Sequence, residues 1–401
     1  MKVLLSAYAC EPNKGSEPEV GWQRALHMLA HADEVWVITR YNNKEVIESD
    51  ARSRVSGLHF IYYDAARWAL RLKKHRWFFP IYHVMWQWGA YKLAARHHQQ
   101  ERFDRVYHIT FVSMQFGSFM GRLRIPFVIG PIAGGERAPL RLRRSMPIGG
   151  KVKELVRDLA ILFQRFSPLT RPSFATAERI YVATPDSMRL VAPRWHFKTE
   201  KHIAIATCGH AVQNIAEQPL RNLRFLFVGN LLYLKGVHFA IRALSEVKKS
   251  IPEATLTLIG SGPDEQWLRN VAKSSGVADA VEFAGYISRH KLIDSLHGYT
   301  ALIFPSLHDS GGFAVLEALQ EGVPVVCLDI GGPGATVDAS CGFVIKTTDA
   351  DESEVITNIA NAMISLALMN ATDFRRLSLG AIDRANELSW TKLTEYIVKN
   401  V

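Results

Sequence analysis

The chain reads as an α/β protein of two doubly wound domains, and three features of the sequence predict this. Its 401 residues are too many for one compact core and suit two domains of ordinary size. Short apolar runs rich in β-branched and aromatic residues recur along it, separated by stretches of helical periodicity, the alternation that builds a parallel sheet. Glycine-bearing loops follow several of these runs, at the strand ends where open parallel sheets bind ligands. Hydrophobic residues make up 48% of the chain, which excludes a disordered protein.

In chain order, residues 3–6 form the first apolar run, without the charged and apolar regions of a signal peptide. The loop 9–19 (ACEPNKGSEPE) and a helix near 21–30 follow. Lys14, Gly15 and Ser16 fill this first strand-to-helix turn, where a doubly wound domain cradles phosphates or sugars. The turn lacks GxGxxG spacing, and a Gly-Ser pair is more often plain loop punctuation. Further strands are predicted at 35–38, 58–62, 106–109, 127–130, 179–182 and 202–206. His108 lies near a strand end, where a histidine is more often a hydrogen-bonded structural residue than a ligand contact. Gly134, Gly135 and Glu136 follow the next strand and read equally as an acceptor-contacting loop or a simple connection.

Charge is uneven. Residues 1–215 hold 32 Lys and Arg against 17 Asp and Glu, net +15, and the remainder 16 against 21, net −5. The excess gathers in Arg67 to Phe79 (RWALRLKKHRWFF), which has five cations and no acid, and in 136–171, with nine cations against three acids. Aromatic bodies beside basic heads suit a bilayer's headgroup region, and each cation near anionic lipid contributes about 1 kcal/mol. The plain alternative is core aromatics with a solvated basic face. No nucleic-acid motif accompanies the charge.

Residues 212–221 lack periodicity and read as a linker. A strand at 223–228 then runs into GNLLYLKG (229–236), where a glycine turn and Lys235 at a helix start face a phosphate well. This is no Walker motif. Residues 254–259 lead into Gly260, Ser261, Gly262 and Pro263, with Pro263 predicted to open a helix. A strand at 281–284 precedes GYIS (285–288). Buried strands at 301–304 and 323–327 bracket a polar loop and about two helical turns. His308, Asp309 and Ser310 fall at the first strand's end, and Gly311 and Gly312 clear the helix start for a phosphate. Glu317 follows Asp309 by eight residues; spacing alone leaves it facing ligand or water. A glycine loop at 329–334 and a helical tail from 353 to 401 complete the chain. Cys10, Cys208, Cys327 and Cys341 form no CxxC pair, which argues against a disulfide framework or a zinc site and fits a reducing compartment. No strand-end DxD pair announces a metal.

The acidic pair Asp309 and Glu317, separated by seven residues, resembles the signature of the retaining GT-B glycosyltransferases of family 4. The resemblance covers nearly the whole chain and is strongest at 229–236, 260–263, 285–287 and 309–317. It implies two Rossmann-like domains facing across a cleft: 1–210 on the acceptor side, 211–385 binding the nucleotide sugar, and a helix at 386–401 returning to the first. It implies that Asp309 contacts the transferred sugar, Glu317 the ribose, and Lys235 the diphosphate. Asn230 stands where the family generally has Arg, and Asp309 where it usually has Glu. Ser310, Gly311, Gly312 and the Gly15–Ser16 turn would border the phosphates, Tyr286 and Ile287 the nucleobase. His108 would contact the donor sugar; Gly134, Gly135 and Glu136 would meet the acceptor.

The expected reaction moves a hexosyl unit from a nucleotide-diphosphate sugar to a glycan or polyprenyl-linked acceptor, in cell-envelope or exopolysaccharide synthesis. His108, Asp309 and Lys235 would act by contact and charge rather than as covalent nucleophiles, with no metal or other cofactor. A cytoplasmic protein, peripheral on the inner face of the plasma membrane, is expected. The alternatives are a hydrolysing nucleotide-sugar epimerase on the same fold and a non-catalytic sugar-binding relative.

Overall fold

The computed structural model describes residues 1–75, 77–164, 167–207 and 223–401. The linker expected at 212–221 lies outside them. The chain divides into two compact units, one made of Met1–Gly135, Ala160–Ile205 and Trp390–Val401, the other of Glu136–Leu159 and Ala206–Ser389. The chain thus passes between units four times. The expected boundary at 210/211 is corrected: 136–159 packs with the later residues, because Ala138, Leu142 and Met146 are buried in the second unit's core.

The first unit holds a seven-stranded sheet of β1 (Lys2–Ala7), β2 (Glu34–Arg40), β3 (Leu58–Tyr63), β4 (Arg105–Thr110), β5 (Phe127–Ile132), β6 (Arg179–Val182) and β7 (Thr199–Lys201). The order is β3-β2-β1-β4-β5-β6-β7 and every pairing is parallel. Strands such as KVLLSA are almost continuously buried, as a sheet covered on both faces requires. The strand expected at 202–206 is corrected to Thr199–Lys201. The helix Trp390–Lys399 belongs here and packs on the helix Ser16–Met28. Between them the Arg24 guanidinium lies 5.5 Å from the Trp390 ring centroid and 3.4 Å from the Thr394 hydroxyl; burial lowers its pKa to about 10.

The second unit repeats the plan with β8 (Arg224–Val228), β9 (Thr255–Ile259), β10 (Val281–Gly285), β11 (Ala301–Phe304), β12 (Val325–Leu328) and β13 (Gly342–Ile345), ordered β10-β9-β8-β11-β12-β13 and again wholly parallel. β13 is an edge strand the sequence reading missed. Two further expectations are corrected: Pro263 precedes a helix that starts at Glu265, and the 329–334 loop is largely the short helix Gly331–Thr336. The helical tail is three helices in this region of the chain, Glu352–Leu368, Ala371–Glu387 and Trp390–Lys399, the first started by an Asp351–Glu354 capping box.

Both sheets change direction at their middle, between β1 and β4 in one and between β8 and β11 in the other. That reversal opens a crevice beyond the strand ends, the place where doubly wound proteins bind ligands.

One helix breaks the usual rule of polar face outward. Along Ile148–Gln164, Ile148, Val152, Leu155, Val156, Leu159, Leu162 and Phe163 are all more than half exposed. They repeat at three- and four-residue spacing and form a single stripe. The inward positions include charges beside the buried Ile161: Glu154 is wholly buried, and Asp158 is held by Arg143 at 2.6 Å.

Candidate active site

The crevice of the second unit is built from the loops after β8 and β11. After β8 the chain turns at Gly229, passes the exposed Asn230 and makes a single helical turn, Tyr233–Lys235. Gly236 then adopts φ 66°, and a Cβ there would stand 1.8 Å from the Pro305 carbonyl oxygen. Only glycine permits this approach, which brings Lys235 beside the loop after β11. The Lys235 ammonium donates to the Asp309 carboxylate at 2.5 Å, both side chains being largely buried.

Asp309 is fixed from several directions. Its other carboxylate oxygen accepts the Gly311 N–H at 3.2 Å, and its carbonyl accepts the Gly332 N–H at 2.9 Å. Gly331, at φ 63°, lies so close that a Cβ would meet the Asp309 carbonyl oxygen at 2.0 Å. Gly312 (φ 85°) caps the helix Phe313–Gln320, whose first-turn N–H groups give the loop a positive electrostatic edge. Glu317, on the next turn, is mostly buried and accepts from Arg289 Nε at 2.5 Å. The two acids spaced by seven residues therefore each hold a cation. Ile287 packs on the core, and Tyr286 is 81% exposed.

A second group of charges adjoins this loop. His308 is held below the ordinary imidazole range by burial first, then by Arg157 and Lys235, with Glu136 and Glu154 opposing. The Tyr233 hydroxyl donates to Glu154 at 3.1 Å; burial, then Glu154, raises its pKa to about 12. Sequence reasoning missed Glu154, Arg157 and Tyr233. Nothing in their spacing marks them, since the helix that carries two of them reads as a membrane or solvent face. Glu136, expected beside Gly134 and Gly135 at the acceptor, is corrected: it is fully buried and counted with the second unit.

The other expected residues lie in the first unit. Gly15 and Ser16 start the first helix with φ of 70° and 54°. A Cβ added at Gly134 would meet no atom within 4 Å, whereas Gly135 packs on the Ser187 backbone and donates to the Ser187 hydroxyl at 3.2 Å. His108 is corrected. Its ring is completely buried, with Nδ1 3.0 Å from the Ser6 hydroxyl and Nε2 3.4 Å from the Gln87 amide. A side chain without surface offers nothing to a sugar, and the structural reading of this histidine wins. Among the described residues no group of three or more His, Cys, Asp and Glu side chains is placed to hold a metal ion.

Comparison with known proteins agrees with this geometry. Residues 213–361 match the family described as glycosyl transferases group 1. A glycogen synthase of Mycobacterium tuberculosis (strain CDC 1551 / Oshkosh) is 39% identical over 112 residues, 28% of this chain and 27% of the relative. A D-inositol 3-phosphate glycosyltransferase of Stackebrandtia nassauensis is 31% identical over 175 residues, 41% of this chain and 38% of the relative. The chain thus spans well under half the length of these two relatives. In fold the likeness extends along the whole chain: Anabaena Alr3699/HepE in complex with UDP superposes with a TM-score of 0.62 at 13% identity, covering 100% of this chain and 99% of that one. The chain has the GT-B fold, and within it residues 213–361 are similar to the group 1 glycosyltransferases.

Proposed function

We propose that the protein is a retaining glycosyltransferase that moves a hexosyl unit from a nucleotide-diphosphate sugar to a phosphate-bearing or lipid-linked glycan acceptor. The observation that carries this is the paired arrangement at the second crevice, Lys235 with Asp309 and Arg289 with Glu317. The diphosphate of the donor seats on Lys235 and the first-turn N–H groups after Gly312, leaving Asp309 to orient the sugar. Glu317 takes the ribose hydroxyls, and Arg289, freed from it or shared with it, adds the second cation that Asn230 does not supply. Charge that grows on the leaving phosphate is met by fixed donors, so no metal is required. The leaving oxygen takes the proton of the attacking hydroxyl on the same face, which preserves the anomeric configuration.

The relatives support a nucleotide donor: one solved structure of this fold is a complex with UDP, and one relative is named for a phosphorylated acceptor. The acceptor works at a lipid surface in this reading. The outward apolar stripe of Ile148–Gln164, together with the exposed Trp68 and Trp77, supports docking on the cytoplasmic face of an anionic membrane. Among the described residues no single helix is long and apolar enough to cross one. Free, buried Cys10, Cys327 and Cys341 suit a reducing compartment.

The test is titration with UDP and GDP, followed by calorimetry and by thermal melting. One of the two raises the melting temperature of the wild type, and Glu317→Ala weakens that binding by about tenfold or more and abolishes transfer. Turnover like the wild type's in Glu317→Ala removes the assignment.

A further inference from the structure

The inward side of the helix Ile148–Gln164 grips the turn that carries Lys235, and residues 148–159 of that helix belong to the second unit with it. Gly150 is buried against the Tyr233 ring, so close that a Cβ there would stand 3.1–3.2 Å from three of the ring carbons. One turn further along, Glu154 Oε1 accepts from the Tyr233 hydroxyl at 3.1 Å and from Arg157 Nη1 at 2.5 Å. Glu154 is wholly buried, and its Oε2 has no hydrogen-bond partner among the described residues. A buried carboxylate with one oxygen unsatisfied lowers stability. What this one supplies is a fixed acceptor for Tyr233.

The turn Tyr233–Lys235 is a single turn of 3-10 helix, too short to be held by its own hydrogen bonds. Its backbone is tied to two neighbouring loops. The Tyr233 N–H donates to the Asp264 carboxylate at 2.7 Å, and the Leu234 carbonyl accepts the Leu307 N–H at 2.8 Å. The Tyr233 side chain adds a third tie, to a helix 79 residues earlier in the chain. Two residues after Tyr233, the Lys235 ammonium reaches the Asp309 carboxylate. A rotation of so short a turn would move that ammonium directly, and a misplacement of about 1 Å is enough to weaken a positioned contact.

We propose that Glu154 is a positioning residue for the donor diphosphate: through the Tyr233 hydroxyl it sets the turn from which Lys235 enters the crevice, without touching the ligand itself. The word diphosphate rests on the donor assigned under the proposed function, whereas the brace rests on the hydrogen bond and the Gly150 contact. Glu154 lies outside residues 213–361, the part of the chain similar to group 1 glycosyltransferases. The segment 136–159 thereby gains a part in nucleotide binding from within the first half of the sequence.

Three variants test it, by calorimetric titration with UDP and GDP and by hydrogen exchange. Tyr233→Phe keeps the ring and removes the hydroxyl. Gly150→Ala presses a methyl on the ring and removes no hydrogen-bonding group. Glu154→Gln keeps an acceptor for the hydroxyl. For the nucleotide that the wild type binds, Tyr233→Phe weakens binding by about five- to tenfold and Gly150→Ala by about threefold or more, while Glu154→Gln retains most of the affinity. All three melt within a few degrees of the wild type. In the Lys235→Met background Tyr233→Phe adds little, because the effect passes through the lysine. Exchange quickens in the amides of 229–236 in Tyr233→Phe and Gly150→Ala, and β8 and β11 keep their protection. Wild-type affinity in Tyr233→Phe overturns the proposal, even where its melting temperature falls, since a merely structural tyrosine would give that result. Full additivity with Lys235→Met overturns it as well. A wild type that binds neither nucleotide removes the donor reading, and exchange then decides the brace alone: unchanged exchange at 229–236 overturns it.

Discussion

At the scale of single residues, the chain buries several histidines that it keeps neutral. His238 is the plainest: it is fully buried between Phe239 and Trp267, with ring centroids 4.0 and 5.0 Å away. Neither ring nitrogen has a hydrogen-bond partner among the described residues. Burial lowers its pKa from 6.5 to about 3. A depressed pKa means that the unfolded chain binds the proton more readily. The stability this group contributes is complete above about pH 6.5 and is lost as pH falls toward the folded value. His108, lowered to about 3, and His83, lowered to about 4, act in the same direction. His238→Leu is expected to flatten the acid limb of a stability profile, by on the order of 1–2 kcal/mol at pH 5. Urea unfolding at pH 7.5 and pH 5 measures it. A difference between the two pH values as large as the wild type's would mean that this ring is not the group that titrates.

At the scale of elements, the helix Ile148–Gln164 is the part whose sequence and structure say opposite things. Its apolar positions predict a buried stripe, yet that stripe is outside, and the buried side carries Glu154 and Asp158. The exposed cations flanking it, Arg144, Lys151 and Lys153, have no exposed acid among them. Apolar stripe and basic border are what an anionic bilayer takes. Val152→Asn with Leu159→Asn should leave the melting temperature nearly unchanged, since exposed substitutions usually alter stability by less than about 0.5 kcal/mol. The pair should weaken co-sedimentation with phosphatidylglycerol vesicles by about tenfold or more. Undiminished co-sedimentation would assign the stripe to something other than lipid. The strands show the contrasting case. Apolar runs of four to seven residues with glycine after them were legible, because a strand buried on both faces must be apolar throughout. β13 escaped because GFVI is short and follows no turn signal stronger than its neighbours. Spacing and resemblance single out Asp309, Glu317 and Lys235, and the structure brings Lys235 to Asp309 and Arg289 to Glu317. The Tyr233–Glu154 contact escapes such a reading, because it joins residues far apart in sequence.

At the scale of the whole molecule, the segment Glu136–Leu159 is the least expected feature, since it lies within the first half of the sequence and packs in the second unit. Leu142 is completely buried there, in one core with Phe239 and Leu244. Leu142→Ala should therefore cost about 2–5 kcal/mol, and the loss should be felt in the second unit. Hydrogen exchange is expected to quicken in β8 and in the helix Val237–Val247, while β1 to β4 keep their protection. Faster exchange confined to β1–β4 would return the segment to the first unit. The return of Trp390–Val401 to the first unit adds the last of the four passages between them. A protease that nicks the backbone at any one of those passages leaves three covalent tethers intact. Neither half is released by such a cut, so an intact band on a denaturing gel and an intact fold are separate properties of this chain.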